Sequence, residues 1–319
     1  MRFYGHNMKI IIFTIMSLFF AVQVFSARIH EAAASGDIEL IKKELRNHVD
    51  IDLRDNDGRP AIMHSIRSGQ VNAVKFLLEN GANPLLRNKW GDTTLIYAAN
   101  NDNDEIVDLL INAKVDVNGK NDLGETALME ASLQGQVKIV EKLIVKGAVI
   151  NAQSKDRTTA LMRAAFKAHH DVVKELLEHG ADPNLKSKDG YTALHYAVSN
   201  NQAGQEIIEL LIKSRIRIDE ESNAGETALM RASWVGNPDI VKRLIAEGAD
   251  VNRRSKDQAT ALMRASRQGH KMIVVILLKN GAQAGMRDKS QKTAFDYAEE
   301  SGNQVIANIL EEHLKTKGK

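Results

Sequence analysis

The sequence predicts an all-α solenoid of about nine helix-turn-helix repeats, and three observations carry that expectation. The segment Glu226-Thr227-Ala228-Leu229-Met230-Arg231-Ala232-Ser233-Trp234 recurs in close versions almost to the end of the chain. Its threonine has equivalents at Ala27, Pro60, Thr93, Thr126, Thr159, Thr192, Thr260 and Thr293, spaced by 33 residues except for 35 between Thr192 and Thr227. Each period carries two short apolar patterns separated by glycine, and a fixed period in the range of roughly 20 to 50 residues is the mark of a stacked repeat architecture. The array is expected to fill residues 27–319, its nine copies over 27–314 leaving almost no chain for a separate domain.

The copy from Glu125 to Arg157 shows why each element forms. Gly124-Glu125-Thr126 makes a turn, and Thr126 is suited to cap a first helix from Ala127 to about Leu133. Gly135 stands where a left-handed residue ends that helix. Val137, Ile139, Val140, Leu143 and Ile144 give a second helix, Val137 to Val145, a broad apolar stripe. Gly147 ends it, and Ala148-Val149-Ile150-Asn151 is expected to run extended into the next turn. Isolated helices below roughly 12–15 residues are marginal, so these two are stable only when stacked on neighbouring copies.

This unit resembles the ankyrin repeat. The matching residues include Thr192-Ala193-Leu194-His195-Tyr196-Ala197, Gly81-Ala82-Asn83, Gly180-Ala181-Asp182 and Gly248-Ala249-Asp250-Val251-Asn252, and the likeness covers essentially everything after residue 26. It implies short β-turn or hairpin connections and a concave face lined by the first helices. There are departures. The box histidine survives only as His30 and His195; Met63, Met129, Met162, Met230 and Met263 replace it elsewhere, Ile96 and Asp296 in the remaining copies. Methionine is expected to offer packing alone. The turn glycine is lost to Arg157, Gln258 and Gln291, which costs strain wherever that position keeps a positive φ.

Residues 1–26 read as a signal peptide. Arg2 and Lys9 form a basic start, Ile10 to Val22 an apolar run, and Val24-Phe25-Ser26 the small-residue pattern before a cut after Ser26. The run is short for a membrane span of about 20 residues, although an uncleaved anchor is the alternative. Met8 followed by Lys9 and Ile10 would also serve as a start. There is no cysteine, which excludes a disulfide and a lipid-anchored lipoprotein. The Thr-Ala-Leu-Met box resembles bacterial ankyrin sequences, so the resemblance and the leader together imply export to a periplasm, or beyond the cell. Without Arg2 and Lys9 the 43 basic residues fall to 41, equal to the 41 acidic ones. That balance draws the chain neither to nucleic acid nor to anionic lipid.

Taken in order, the first copy looks like a cap whose exposed end carries Glu39, Lys42, Lys43 and Glu44. Copy two starts at Pro60, where a missing N–H costs little. Asn100 to Glu105 in copy three reads as a helix stop with capping residues rather than a calcium loop, since the regular loop pattern is absent. Copy six holds a two-residue insertion within 201–206, and Arg215 to Glu221 replaces the usual Gly-Ala-Asp at the next joint. Copy nine, rich in acidic residues, is expected to close the stack as a polar cap.

No catalytic constellation, phosphate loop, cofactor site or metal-ligand spacing stands out, so the expectation is a non-enzyme without cofactor or metal. His169 and His170 fall at an interhelical turn. What remains is a surface. Positions four, seven and eight after the threonine give Glu130, Leu133 and Gln134; Arg163, Phe166 and Lys167; Tyr196, Ser199 and Asn200; Arg231, Trp234 and Val235; and Arg264, Arg267 and Gln268. Only 5% of the chain is aromatic, so Phe166, Tyr196 and Trp234 on one stripe are a concentration. Large aromatics and arginines are what binding hot spots are made of. Arg163, Arg231 and Arg264 would stack as a basic ladder suited to an acidic partner. The turn tips Trp90, Leu123 and Tyr191 form a second candidate surface. The expected function is protein binding by a monomeric scaffold in the bacterial envelope, with a secreted effector or a membrane-tethered structural protein as alternatives.

Overall fold

The computed structural model describes residues 28–200 and 205–317. The expected leader at 1–26 and part of the insertion at 201–206 lie outside them. The described residues form eighteen helices and no strand, two per copy. The first helices of the copies are α1 (28–35), α3 (Ala61–Arg67), α5 (Thr94–Ala99), α7 (Ala127–Gln134), α9 (Ala160–Phe166), α11 (Ala193–Ser199), α13 (Ala228–Val235), α15 (Ala261–Gln268) and α17 (Ala294–Glu300). The second helices are α2 (Ile38–Arg46), α4 (Val71–Glu79), α6 (Asp104–Asn112), α8 (Val137–Val145), α10 (His170–Glu178), α12 (Gln205–Lys213), α14 (Pro238–Ala246), α16 (Lys271–Lys279) and α18 (Gln304–Lys317). None of them is long and apolar enough to cross a membrane.

The chain forms two compact units, one of residues up to Ala131 with Val145–Ala148, the other of Ser132–Ile144 with Val149 onward. In the first, α3 packs on α5, and α4 on both α2 and α6. In the second, α9, α11, α13, α15 and α17 make one row, and α10, α12, α14, α16 and α18 a second row behind it.

The threonines cap as the sequence predicts. Thr159 Oγ1 accepts the Met162 N–H at 3.3 Å, and Thr93, Thr227, Thr260 and Thr293 do the same for their own helices. Pro60 occupies the cap position of α3 itself, one residue before the helix. Asn103 caps α6 through Ile106 N at 3.2 Å, in keeping with the capping reading of 100–105. Met263 corrects the expectation that methionine only packs. Its Sδ accepts the Thr260 N–H at 3.4 Å. His195 Nδ1 takes the Thr192 N–H at 3.3 Å in the same manner.

Residues 150–151 form a turn instead of the expected extended segment, with Ala152 N donating to Val149 O at 3.0 Å. That turn aims Asn151 at the next copy, where its amide donates to Gly180 O at 3.2 Å and its Oδ1 accepts from Asp182 N at 2.9 Å. Asn252 repeats both bonds with Gly281 and Gln283. The joint at Arg215 keeps the arrangement without glycine: Arg215 takes φ 60°, and Arg217 N donates to Asn184 Oδ1 at 2.8 Å. Turn tips are also joined backbone to backbone, Asp122 N to Trp90 O at 3.0 Å in the first unit and Asn223 N to Asp189 O at 2.9 Å in the second. The expected hairpin connections reduce to two isolated bridges, Arg54 with Pro60 and Arg87 with Thr93.

The core of the second helices centres on one leucine per copy. Leu77, Leu110, Leu143, Leu176, Leu211, Leu244, Leu277 and Leu310 are each 0% exposed. Burying such a side chain contributes about 1.5–3 kcal/mol. The first copy has Glu44 at this position, also 0% exposed, which corrects its placement on the exposed end. It lies on the same face of α2 as Ile41, three residues earlier, and that face is the one turned inward. Among the described residues neither carboxylate oxygen has a hydrogen bond, and Arg28 Nε lies 3.6 Å away.

Two stability outcomes follow from these features. Burying a carboxylate without hydrogen bonds is costly, and Arg28, 46% exposed, stays solvated when its partner is removed, so Glu44→Leu is expected to raise the urea midpoint of the array. Arg157, Gln258 and Gln291 do adopt φ of 57°, 64° and 62°. A left-handed non-glycine residue costs about 1–2 kcal/mol, and glycine gives back about 0.5–1 kcal/mol in chain entropy. Gln258→Gly is therefore expected to stabilise by roughly 0.5–1 kcal/mol in the same melt.

Candidate protein-binding surface

The row of first helices in the second unit brings most of the sequence-selected residues together. Phe166, the last residue of α9, is 42% exposed and meets Tyr196 edge-on, ring centroids 6.2 Å apart. Tyr196 in turn meets Tyr191 edge-on at 6.2 Å. Tyr191 therefore belongs to this cluster and not to a separate turn-tip surface. Its phenol donates to Glu226 Oε2 at 3.2 Å, and burial together with the Glu226 charge pushes its pKa up. Arg163 is half-buried on α9, and Asn200 donates to Phe166 O at 2.7 Å.

The expected basic ladder is not a stack of bare charges. Arg231 Nε donates to Ser199 Oγ at 2.9 Å, its terminal nitrogen lies 3.5 Å from Glu226 Oε2, and its guanidinium sits 5.5 Å from the Tyr191 ring centre. Arg264 lies 3.8 Å from Asp257. Trp234 is half-buried on α13, with the guanidiniums of Arg264 and Arg267 at 5.8 and 5.9 Å from its ring. Arg267 and Gln268 are exposed at the end of α15. Tyr297 on α17 was missed by the sequence reading and completes the group, its ring 5.6 Å from Arg267. The signal was present: Tyr297 stands four residues after Thr293, as Tyr196, Arg231 and Arg264 stand after their own threonines. It was passed over because copy nine reads as a cap.

Trp90 lies in the first unit and is 44% exposed at its turn. It is not bare: Arg59 and Lys89 stack on it at 5.3 and 4.5 Å, and Lys89 is bonded to Asp57. Leu123 is 60% exposed at the following turn. The same unit holds a polar hollow of about 540 Å³ lined by Arg59, Arg67, Asp92, Tyr97, Asn121 and Glu130 among others. Its walls are tied to one another. Arg59 Nε donates to Tyr97 Oη at 2.8 Å, and the Asn121 amide bridges Asp92 and Glu125 at 2.9 Å each. Sequence reading gave no sign of this hollow, because it depends on side chains from three copies.

Three histidines serve joints between copies. His169 and His270 place Nε2 at 3.0 and 3.1 Å from Leu133 O and Trp234 O, the ends of preceding first helices. His195 donates from Nε2 to Glu226 O at 2.9 Å, and burial pulls its pKa down against the opposing effect of that bond. His30 and His64 stack at 4.7 Å. Burial and then the neighbouring His30 hold His64 low, in spite of Asp55 at 3.0 Å.

With this geometry in place, a family model described as ankyrin repeats (3 copies) matches the chain in overlapping stretches, residues 29–121, 72–154, 115–187, 161–255 and 229–317. No curated protein matches the chain.

The two depressed histidines contribute to the pH dependence of the array just below neutrality. Each is neutral when folded and titrates near 6.5 when unfolded, so its stabilising contribution is present above about pH 6.5 and is lost as pH falls through the lower folded value. One such group contributes a slope of up to about 1.4 kcal/mol per pH unit. Wild type is expected to lose stability between pH 6.5 and 5, and His195→Met, which copies the Met263 arrangement, to flatten that loss. Thermal melts across the range measure both.

Proposed function

The chain belongs to the ankyrin-repeat family, and from that premise we propose that it is a non-enzymatic scaffold whose first-helix face in the second unit receives a protein partner. Ankyrin repeats are a protein–protein interaction module. The observation that carries the reading is the aromatic and arginine cluster of Phe166, Tyr196, Arg231, Trp234, Arg264 and Arg267. Phe166 keeps 42% of its surface in solvent, where an array built only for stacking has no use for an exposed ring. Arginines already laid on aromatic faces lose little side-chain entropy on binding, which favours them as anchors. Arg163 extends the patch at its α9 end. Trp90 offers a smaller contact in the first unit.

We also propose that residues 1–26 direct export and are removed, leaving a monomer that works in the bacterial envelope. The basic start, the apolar run and the small-residue pattern support this, and a chain without cysteine is compatible with a periplasm. A secreted effector shares the same leader, and a membrane-tethered protein would retain it.

A crosslinking pull-down from envelope extract tests the binding reading. Wild type is expected to capture a partner that the Arg231→Ala/Trp234→Ala variant loses, while circular dichroism melts show both arrays folded. Capture unchanged in that variant would overturn the assignment and move the contact to the turn around Trp90. The mass of the purified protein decides whether the leader is cleaved. Recovery from the medium, with none from the periplasm, would favour the effector.

A further inference from the structure

Within the cluster, one cation differs from the rest. Arg264 has Asp257 within 3.8 Å, and Lys292, which lies over the Tyr297 ring at 5.7 Å, is paired to Glu300 at 2.6 Å. Arg267 is exposed and has no ion pair or hydrogen bond among the described residues. Its guanidinium instead lies over two rings, with their centres at 5.9 Å for Trp234 and 5.6 Å for Tyr297. Of those rings, Tyr297 is fixed by a hydrogen bond of its own. Trp234 is half-buried on α13, and its carbonyl is contacted by His270 at 3.1 Å. Tyr297 donates its phenol proton to Asp288 Oδ2 at 2.5 Å, and that bond, with burial, pushes its pKa to about 12. The ring therefore stays neutral and anchored over the whole physiological range. A guanidinium attracted to ring faces without an ion pair keeps its N–H donors available, and those donors match the two oxygens of a carboxylate.

We propose that Arg267, lying over Trp234 and Tyr297, is the receptor for one side-chain carboxylate of an acidic segment in the protein partner. This rests on the binding reading above and sharpens it. Arg231 and Arg264 each have a carboxylate beside them, Glu226 and Asp257, whereas Arg267 has no ion pair among the described residues. A carboxylate fits that charge better than a phosphate does. A phosphate dianion, with about −1.5 to −2 of charge, calls for more than one cation to match it. Tyr297 is a positioning residue here: it holds the fork in place without touching the incoming group.

The test uses the full chain in a Trp90→Phe background, which leaves Trp234 as its single tryptophan. An octaglutamate peptide blocked at both ends is titrated at low salt while the Trp234 fluorescence is followed, with the octaglutamine peptide as control. The glutamate peptide is expected to change the emission saturably and the glutamine peptide to leave it unchanged. Arg267→Gln is expected to weaken binding about tenfold. Arg267→Lys, which keeps charge but loses the fork, and Tyr297→Leu, which removes one of the rings, are expected to fall between. Lys279→Gln on α16 removes the same charge elsewhere and is expected to leave binding unaltered. Equal weakening by Lys279→Gln would reduce the effect to diffuse electrostatics and overturn the proposal. So would no response of Trp234 to octaglutamate, or tighter binding of a singly phosphorylated octaglutamine-based peptide. If the pull-down partner is lost with Arg231→Ala/Trp234→Ala but kept with Arg267→Gln, the surface stands and the carboxylate receptor falls.

Discussion

Helices of six to nine residues, which make up α2 to α17, do not persist alone in water. They exist here because a leucine on each second helix from α4 onward has nowhere to hide except between layers formed with the next copy. The threonine caps, the left-handed residues between helices and the asparagine bonds at the joints all serve that burial. They start and stop each helix so that its apolar stripe reaches the stack in register. Stability is in this sense held jointly by neighbours, and the weakest joint limits what the rest can contribute.

Most of this was legible because it is written in short range and repeated. Helix bounds from Ala127 to Val145, the threonine caps and the positive φ of Arg157, Gln258 and Gln291 follow from residues within a few positions of one another. Glu44 was misjudged for an instructive reason. Its charge suggested an exposed end, while its place in the 33-residue period, level with Leu77 and Leu110, demanded the interior. The period was the better guide. The Met263 sulfur bond and the neutralisation of Arg231 and Arg264 depend on rotamers, which no spacing specifies.

The surface shows the same division. Position along the repeat placed Phe166, Tyr196, Trp234 and the arginines on one row, and the packing of α9 through α17 puts them there. What position could not tell is how charge and aromatic surface share the patch. Guanidiniums lie over Tyr191, Trp234 and Tyr297, with Glu226 and Asp257 answering two of them. A row of arginines in sequence thus becomes a largely pre-satisfied, stiffened surface in three dimensions, where geometry rather than total charge sets what can bind.

The bonds between neighbouring copies have a fixed reach along the chain. Asn151 to Gly180 spans 29 residues, His169 to Leu133 spans 36, and Arg59 to Tyr97 spans 38. Such separations are set by the period and not by the length of the chain. Adding or deleting whole copies would leave the entropy of closing each contact unchanged, since loop-closure cost depends on the residues enclosed. Contact order relative to length then falls as copies are added, and low relative contact order goes with rapid folding. The joints that hold the array together thereby allow it to change in size by whole units, with no new kind of contact to find.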